Sequence, residues 1–298
     1  MSKMSKLMAL VIFSCLGISY GAEYDIKTIT NIMDTYEKQV DSIKLKYSCT
    51  YPPDEQGNIE FVKGTFAQKK LEGYILLDKI TQTSKTWDTS GIVRSYNGEV
   101  TRYLEHEKNK HGYHMAALYE EHNPNLYKTD DNPYYRFYRI NYIAKVTDLL
   151  NDPNISVEII CEEIVDGLTA LKISLQKAGS DSKSHLWLLP EKNYLPIRYQ
   201  TPVKVEGNEI YWQIKWGDFK KSNSGIWFPW KIQTKFSDLP ETTTIKTEEI
   251  DFSPLTKEDF EFEFPAFTHV TDHILGTSYL TTTYNQSRPY DCAANSKQ

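Results

Sequence analysis

Residues 210–236 read IYWQIKWGDFKKSNSGIWFPWKIQTKF, and this stretch decides the class of fold. Large apolar side chains occupy every second position on either side of the turn SNSG, with polar side chains between them. A period of two predicts two neighbouring β-strands, each with one apolar face and one solvated face. The apolar face comprises Ile210, Trp212, Ile214, Trp216, Phe228, Trp230 and Ile232.

The same pattern extends through most of the chain. Leu171, Ile173 and Leu175 alternate in the same way, and runs of β-branched and aromatic residues predict antiparallel strands at 45–51, 59–68, 73–80, 92–96 and 100–105. So many strands present one broad apolar face, and something has to cover it. The sheet must therefore curve on itself, stack on a second sheet or hold an apolar ligand.

Two helices are predicted among the strands. Asp25 is a suitable N-cap for an amphipathic helix whose apolar positions recur at steps of three and four. These positions are Ile26, Ile29, Ile32, Met33, Tyr36, Val40 and Ile43. A loop at 120–134, containing Asn-Pro twice, precedes a second helix at 141–150. The expected fold class is mainly β with a few helices.

The N-terminus predicts export. Residues 1–6 carry two lysines and no acidic residue, residues 7–18 are apolar, and small residues precede Ala22. This is the pattern of a secretory signal peptide at 1–21, which leaves one domain at 22–298 in the periplasm. A lipid anchor on Cys15 is the alternative. The apolar run is shorter than the roughly 20 residues of a membrane-spanning helix, so no membrane span is expected.

Composition and motifs exclude several functions. The chain has 34 Lys+Arg and 40 Asp+Glu, a formal charge of −6, and no basic stripe in its sequence, so neither nucleic acid nor an anionic membrane surface is an expected partner. Phosphate-cradling loops, dinucleotide fingerprints, HExxH and CxxC are absent from the sequence. We therefore expect no cofactor, no metal and no enzymatic activity.

Histidines and cysteines offer the remaining chemistry. His106, His111, His114 and His122 fall close together, but a metal site needs the first three to meet in space, and their spacing favours a polar hairpin. His269 and His273 are expected on an extended segment rather than on a chelating helix.

Three cysteines, Cys49, Cys161 and Cys292, follow the predicted leader and allow at most one disulfide, in three possible pairings. Cys49 and Cys161 are expected as buried thiols in strands. Five of the six tryptophans lie between 187 and 230. They form either a carbohydrate-binding platform or part of an ordinary apolar core, and alternate strand positions favour the core.

Several ordered segments carry a family resemblance. GTFAQKKLEGY at 64–74, YNGE at 96–99, LWLLP at 186–190 with LPIRY at 195–199, GIWFP at 225–229 and FEFEFP at 260–265 occur in this order. Together they resemble the periplasmic lipoprotein-carrier superfamily, the Lol-type outer-membrane lipoprotein-sorting proteins, over nearly the whole mature chain. Lys70-Leu71 stands where the founding carriers have Arg-Pro, which makes Lys70 a candidate gate residue. Its ammonium is a point charge, whereas the arginine guanidinium is planar and forms paired hydrogen bonds.

The resemblance implies an unclosed half β-barrel with helices as a lid over an apolar cavity. It implies a monomeric, non-enzymatic carrier that binds acyl chains of a lipoprotein or lipid and hands them to the outer membrane, with inner- or outer-membrane handover proteins as partners. We expect the apolar face of residues 210–232 to line the cavity, and Ile26, Ile29, Met33 and Tyr36 to pack as the lid. The same residues would otherwise form a filled core. An envelope sensor that binds a membrane protein, or a metal-dependent hydrolase, are the alternative functions.

Overall fold

The computed structural model describes residues 24–70, 72–82, 87–109, 111–120, 132–140, 144–205, 207–238, 242–283 and 286–289. The predicted leader at 1–21, Cys15, His122 and Cys292 lie outside the described residues, as does most of the predicted loop at 120–134.

The period-two pattern forms strands throughout the described chain. The strands are β1 (Ser42–Thr50), β2 (Ile59–Lys69), β3 (Glu72–Gln82), β4 (Trp87–Tyr96), β5 (Thr101–Lys108), β6 (His114–Tyr119), β7 (Ile155–Val165), β8 (Leu168–Lys177), β9 (Lys183–Leu189), β10 (Leu195–Val205), β11 (Asn208–Lys221), β12 (Trp227–Phe236), β13 (Thr243–Asp251), β14 (Thr268–Asp272), β15 (Thr277–Thr283) and β16 (Gln286–Pro289). The helices are α1 (Ile26–Glu37) and α2 (Val146–Asn151), with 3-10 turns at Pro133–Arg136, Pro190–Lys192 and Lys257–Phe260.

All of these strands belong to one sheet. Its order is β16-β15-β14-β6-β5-β4-β3-β2-β1-β13-β12-β11-β10-β9-β8-β7. Neighbours are antiparallel except for β14 and β6, which are parallel. Among the described strands β7 and β16 are the two ends and do not pair with each other, so the sheet is unclosed. The predicted mainly-β class with a few helices is confirmed.

The helices pack on one face of the sheet, which we call the inner face; the opposite face is the outer face. Tyr24, just before α1, donates a hydrogen bond to Glu162 on β7, whereas Tyr134 in the first 3-10 turn stacks on Phe66 of β2 at 5.4 Å between ring centroids. Eight strand spacings separate β7 from β2, about 38 Å in a flat sheet. Helix α1 is only about 18 Å long. A cap this small reaches both strands because the sheet curves around it.

The helix boundaries differ from the prediction. Asp25 caps α1 as expected, accepting from the backbone N–H of Thr28. However, α1 ends at Glu37, and Ile43, a predicted helix position, lies on β1. From Ile43 onward apolar residues alternate with lysines, so the strand period prevails. Helix α2 begins at Val146 because Arg139 and Lys145 form a β-bridge just before it.

The two cysteines in the described residues have different surroundings. Cys49 is fully buried on β1, as predicted. The prediction of a buried Cys161 is wrong. Strand β7 lies at the end of the sheet, and a bulge between Ile159 and Cys161 shifts its register against β8. Cys161 is consequently exposed.

The outer face of β2 to β6 has its own cover. Leu255 and Phe260 pack on Ala67 of β2, and Phe262 and Phe264 pack beside the cluster that contains Val270 of β14. The chain around residues 255–264 thus covers the outer face. This segment does not cover the inner face of the same strands.

Candidate binding site on the inner face

The predicted lining residues lie mainly in a closed part of the inner face. Ile214, Trp216, Phe228 and Ile232 are each at most 1% exposed. Trp216 Nε1 donates to the carbonyl of Arg136 at 2.9 Å, and Phe228 stacks on Phe137 at 5.2 Å. We call this region, the inner face of β8 to β12 beneath α1 and residues 133–138, the filled half. Protein groups occupy the space over these four side chains.

The other three predicted lining residues lie at the margin of the filled half. Trp212 packs partly against its core and meets Tyr199 edge to face. Ile210 is half-buried, and so is Trp230, whose ring lies 3.7 Å from the ammonium of Lys220. Contact of any of the seven residues with a ligand stays a prediction.

The four predicted lid residues pack against the filled half. Ile29, Met33 and Tyr36 are buried against it, and Ile26 packs beside them. The Tyr36 hydroxyl accepts from the backbone N–H of Trp227, and burial raises the pKa of Tyr36. These contacts hold one face of α1 against the sheet.

Polar contacts fasten the lid at both of its ends. The hydrogen bond to Glu162 raises the pKa of Tyr24 to about 12. At the other end of α1, Glu37 pairs with Arg139 Nη2 at 3.1 Å and with Lys145 Nζ at 2.9 Å. Helix α1, residues 133–140 and α2 are therefore one connected cap.

Lys70, the candidate gate residue, lines neither of the two larger clefts among the described residues. Lys70 is exposed in the turn between β2 and β3, where its φ of 52° is left-handed. Lys70 lies eight positions after Val62 of β2, a distance of about 26 Å along a strand. A gating role for Lys70 stays a prediction.

Next to the filled half, the inner face of β2 to β5 carries a cleft of about 440 Å³, which we call the inner cleft. Val62, Leu77 and Ile92, on three neighbouring strands, provide its apolar floor. The full lining is Tyr51, Glu60, Val62, Leu77, Lys79, Ser90, Gly91, Ile92, Tyr103, Glu105 and Glu107.

A glycine shapes the sheet under this cleft. Gly64 pairs with Tyr47 on one side and Leu77 on the other, and a Cβ at Gly64 would lie 2.3 Å from the Tyr47 ring. Tyr47 is only 1% exposed. The Tyr47 ring therefore occupies the space that a side chain at position 64 would fill.

Carboxylates dominate the polar lining of the inner cleft. Glu60, Glu105 and Glu107 line the cleft together with the ammonium of Lys79, which pairs with Glu60 at 2.6 Å, and the guanidinium of Arg94 lies 5.2 Å from the centroid of the Tyr103 ring. Tyr103 donates to Glu105 at 3.0 Å, and burial followed by this hydrogen bond raises the pKa of Tyr103. The cleft thus combines an apolar floor with a negatively charged rim.

The histidines of the metal hypothesis are described only in part, because the side chain of His106 lies outside the described residues. No group of three His, Cys, Asp or Glu side chains among them is placed to hold a metal ion. His111 is exposed in the turn before β6, and His114 begins that strand. His269 lies on β14, an extended segment as predicted, while His273 stacks on Tyr119 at 4.5 Å.

Sequence reasoning missed the inner cleft. Its floor residues fall in predicted strands, but they share a face only through the register that aligns Leu77 with Ile92 and Gly64 with Leu77. The only signal in the sequence is the alternation within each strand. This alternation does not show which strands the helices cover.

None of the described helices is long and apolar enough to cross a membrane.

Comparisons with known proteins give structural similarity alone. No family model and no curated protein matches the sequence. The chain is similar in structure to a domain from Vibrio parahaemolyticus described as an outer membrane lipoprotein-sorting protein, with 11% identity and a TM-score of 0.43 over 80% of this chain and 97% of that one. A LolA superfamily protein from Nitrosomonas europaea aligns with 11% identity and a TM-score of 0.42 over 80% and 98%. The MucA/MucB complex of Pseudomonas aeruginosa aligns with 8% identity and a TM-score of 0.25 over 78% and 96%.

Proposed function

We propose that the protein is a non-enzymatic periplasmic carrier that holds an acyl chain of a lipoprotein or lipid in the inner cleft and passes it towards the outer membrane. The observation that carries the proposal is the inner cleft itself, with Val62, Leu77 and Ile92 as its floor. Its volume of about 440 Å³ falls in the range of small-molecule sites. Each methylene buried there contributes about 0.8 kcal/mol, and no covalent step is needed.

The charged rim supports a particular class of acyl ligand. Three carboxylates outnumber the Lys79 ammonium and the neighbouring Arg94 guanidinium at the cleft, so a fatty-acid carboxylate would meet net repulsion. An acyl ester has no charge at the corresponding position. We therefore propose that the cleft prefers esterified acyl chains, such as those of a lipoprotein or neutral lipid, over free fatty acids.

The test is a calorimetric titration of the protein with glycerol monolaurate and, separately, with laurate. We expect the ester to bind at least tenfold more tightly than the acid. Ile92→Asp, which places a charge in the apolar floor, is expected to weaken ester binding at least tenfold. Ile159→Asp is the matched control, because Ile159 is a half-buried strand residue on β7, outside the inner cleft and outside the predicted lining. Equal ester affinity in wild type and Ile92→Asp would contradict the proposal.

A second candidate function draws on the filled half. Because protein groups cover Trp216 and Phe228, this part of the inner face resembles a permanent core, which suits a protein that binds a membrane partner through its surface. The titration separates the two functions. No uptake of either ligand by the wild-type protein would favour the envelope sensor over the carrier.

A further inference from the structure

A second cleft, of about 530 Å³, lies beside β11 and β12. We call it the outer cleft, because Lys215 and Lys231 line it from the outer face of these strands. Leu168 and Ile197, from the apolar cluster on the outer face, form part of its wall. The full lining is Asp166, Leu168, Lys192, Ile197, Lys215, Trp216, Gly217, Asp218, Phe219, Trp227, Lys231 and Gln233. It shares no residue with the inner cleft.

Three half-buried lysines converge on the outer cleft. Lys192 follows β9, Lys215 lies on β11 and Lys231 on β12. In the part of the chain that the structure describes, none of the three has a carboxylate oxygen within 4.0 Å of its ammonium. These charges are therefore brought together without direct neutralisation, in a chain whose formal charge is −6.

The fold adds repulsion here instead of relieving it. Lys231 lies directly opposite Lys246 on β13, and like charges in cross-strand pairs are destabilising. Lys192 is held 4.1 Å from the centroid of the Trp227 ring, an arrangement that keeps its ammonium at the cleft. An anion between these lysines would relieve the repulsion, and lysine ammoniums are common phosphate ligands.

The other polar side chains of the outer cleft indicate which groups the ligand carries besides its phosphate. Asp166 and Asp218 line the same cleft, both at left-handed backbone positions with φ of 49° and 52°, and Gln233 lies on β12. Their oxygens accept hydrogen bonds from hydroxyl or amino groups. We propose that the outer cleft binds a phosphate group carried on a molecule with hydroxyl or amino groups, with Lys192, Lys215 and Lys231 as the phosphate ligands.

The sequence alone concealed this site. Its lysines are 23 and 16 residues apart along the chain, so no basic stripe is visible in the sequence. The sheet register places β11 beside β12, with Lys231 opposite Gly217, one position from Trp216 and two from Lys215. The proposal is independent of acyl binding, because the two clefts have no lining residue in common.

Two probes distinguish a free phosphate compound from a lipid headgroup. Glycerol 3-phosphate is titrated into the protein and followed by NMR shifts of the backbone amides of β11 and β12. Sedimentation with vesicles of phosphatidylcholine, with and without 30% phosphatidylglycerol (about one lipid in three), reports headgroup binding. The double variant Lys215→Met/Lys231→Met removes two charges and keeps unbranched side chains. Lys235→Met is the matched control, because it lies on β12 outside the cleft.

We expect the double variant to weaken binding of the effective probe at least tenfold, and the control to change it less than twofold. The thermal midpoint of the double variant should not fall, because the repulsion between Lys231 and Lys246 is removed. Binding of glycerol 3-phosphate supports a free ligand, and binding of phosphatidylglycerol vesicles alone supports a headgroup. Failure of both probes with the wild-type protein, or equal binding by the double variant, would overturn the proposal.

Discussion

The filled half and the inner cleft are built from the same kind of strand, yet one is a closed core and the other is a cleft. Ile214 and Ile232 lie beneath α1 and residues 133–138, whereas Val62, Leu77 and Ile92 line the inner cleft at the edge of the same apolar cluster. The difference comes from the reach of the helical cap. An alternating apolar strand predicts a buried face, and the neighbouring elements decide whether protein or ligand covers it.

The largest difference in unfolding free energy is expected between a truncation in the filled half and a truncation in the inner cleft. Trp216→Ala removes a ring that is only 1% exposed together with its hydrogen bond to Arg136, so the free energy of unfolding should fall by about 4 kcal/mol. Ile92→Ala, at a half-buried position in the inner cleft, should cost about 1 kcal/mol. Urea denaturation measures both. Equal losses would show that the two halves do not differ in packing.

The next effect concerns the glycine under the inner cleft. Gly64→Ala forces a methyl group into the Tyr47 ring, and overpacking of this kind should lower the free energy of unfolding by about 2 kcal/mol. Gly217→Ala is the matched control, because Gly217 is also in a strand and a Cβ at this position would meet no atom within 4 Å among the described residues. Differential scanning calorimetry should show a much lower midpoint for the first variant alone. An unchanged midpoint for Gly64→Ala would mean that Tyr47 moves aside freely.

The clamp that holds the cap over the filled half should give a smaller effect. Glu37 is 16% exposed and serves both Arg139 and Lys145, so Glu37→Gln should cost about 1.5 kcal/mol. Glu249→Gln, which breaks the exposed pair with Lys46, is the control and should cost less than about 0.5 kcal/mol. Chemical denaturation compares them. Equal costs would indicate that the clamp contributes no more than a surface ion pair.

The smallest expected effect is at the start of α1. Because the pKa of Tyr24 is raised to about 12 in the folded chain from an ordinary value of 10.0, its contribution is complete below pH 10 and declines as the pH rises towards 12. Tyr24→Phe should remove this decline, seen as the change in thermal midpoint between about pH 9, below that window, and about pH 11.5, near its upper end. Tyr211→Phe, at an exposed 3.4 Å hydrogen bond to Glu209, is the control. An unchanged pH dependence in Tyr24→Phe would exclude the tether to β7.

The strands and the first helix were predictable because both depend on local periodicity. The cap of Asp25 and the alternation of residues 210–216 are each contained in a few residues. The end of α1 was not predictable, since Ile43 fits both the helical and the strand period. The two clefts depend on register and on the reach of the cap, and both are properties of residues far apart in the chain, such as Tyr134 and Phe66.

The most direct test of the account locates the acyl chain. A glycerol monoester of a photoreactive, diazirine-bearing fatty acid is bound, irradiated and mapped by mass spectrometry of the digested protein. We expect adducts on β2 to β5, around Val62, Leu77 and Ile92, and their loss in Ile92→Asp. Adducts concentrated on β11, β12 or α1 would show that the filled half opens to take the ligand and would contradict the account.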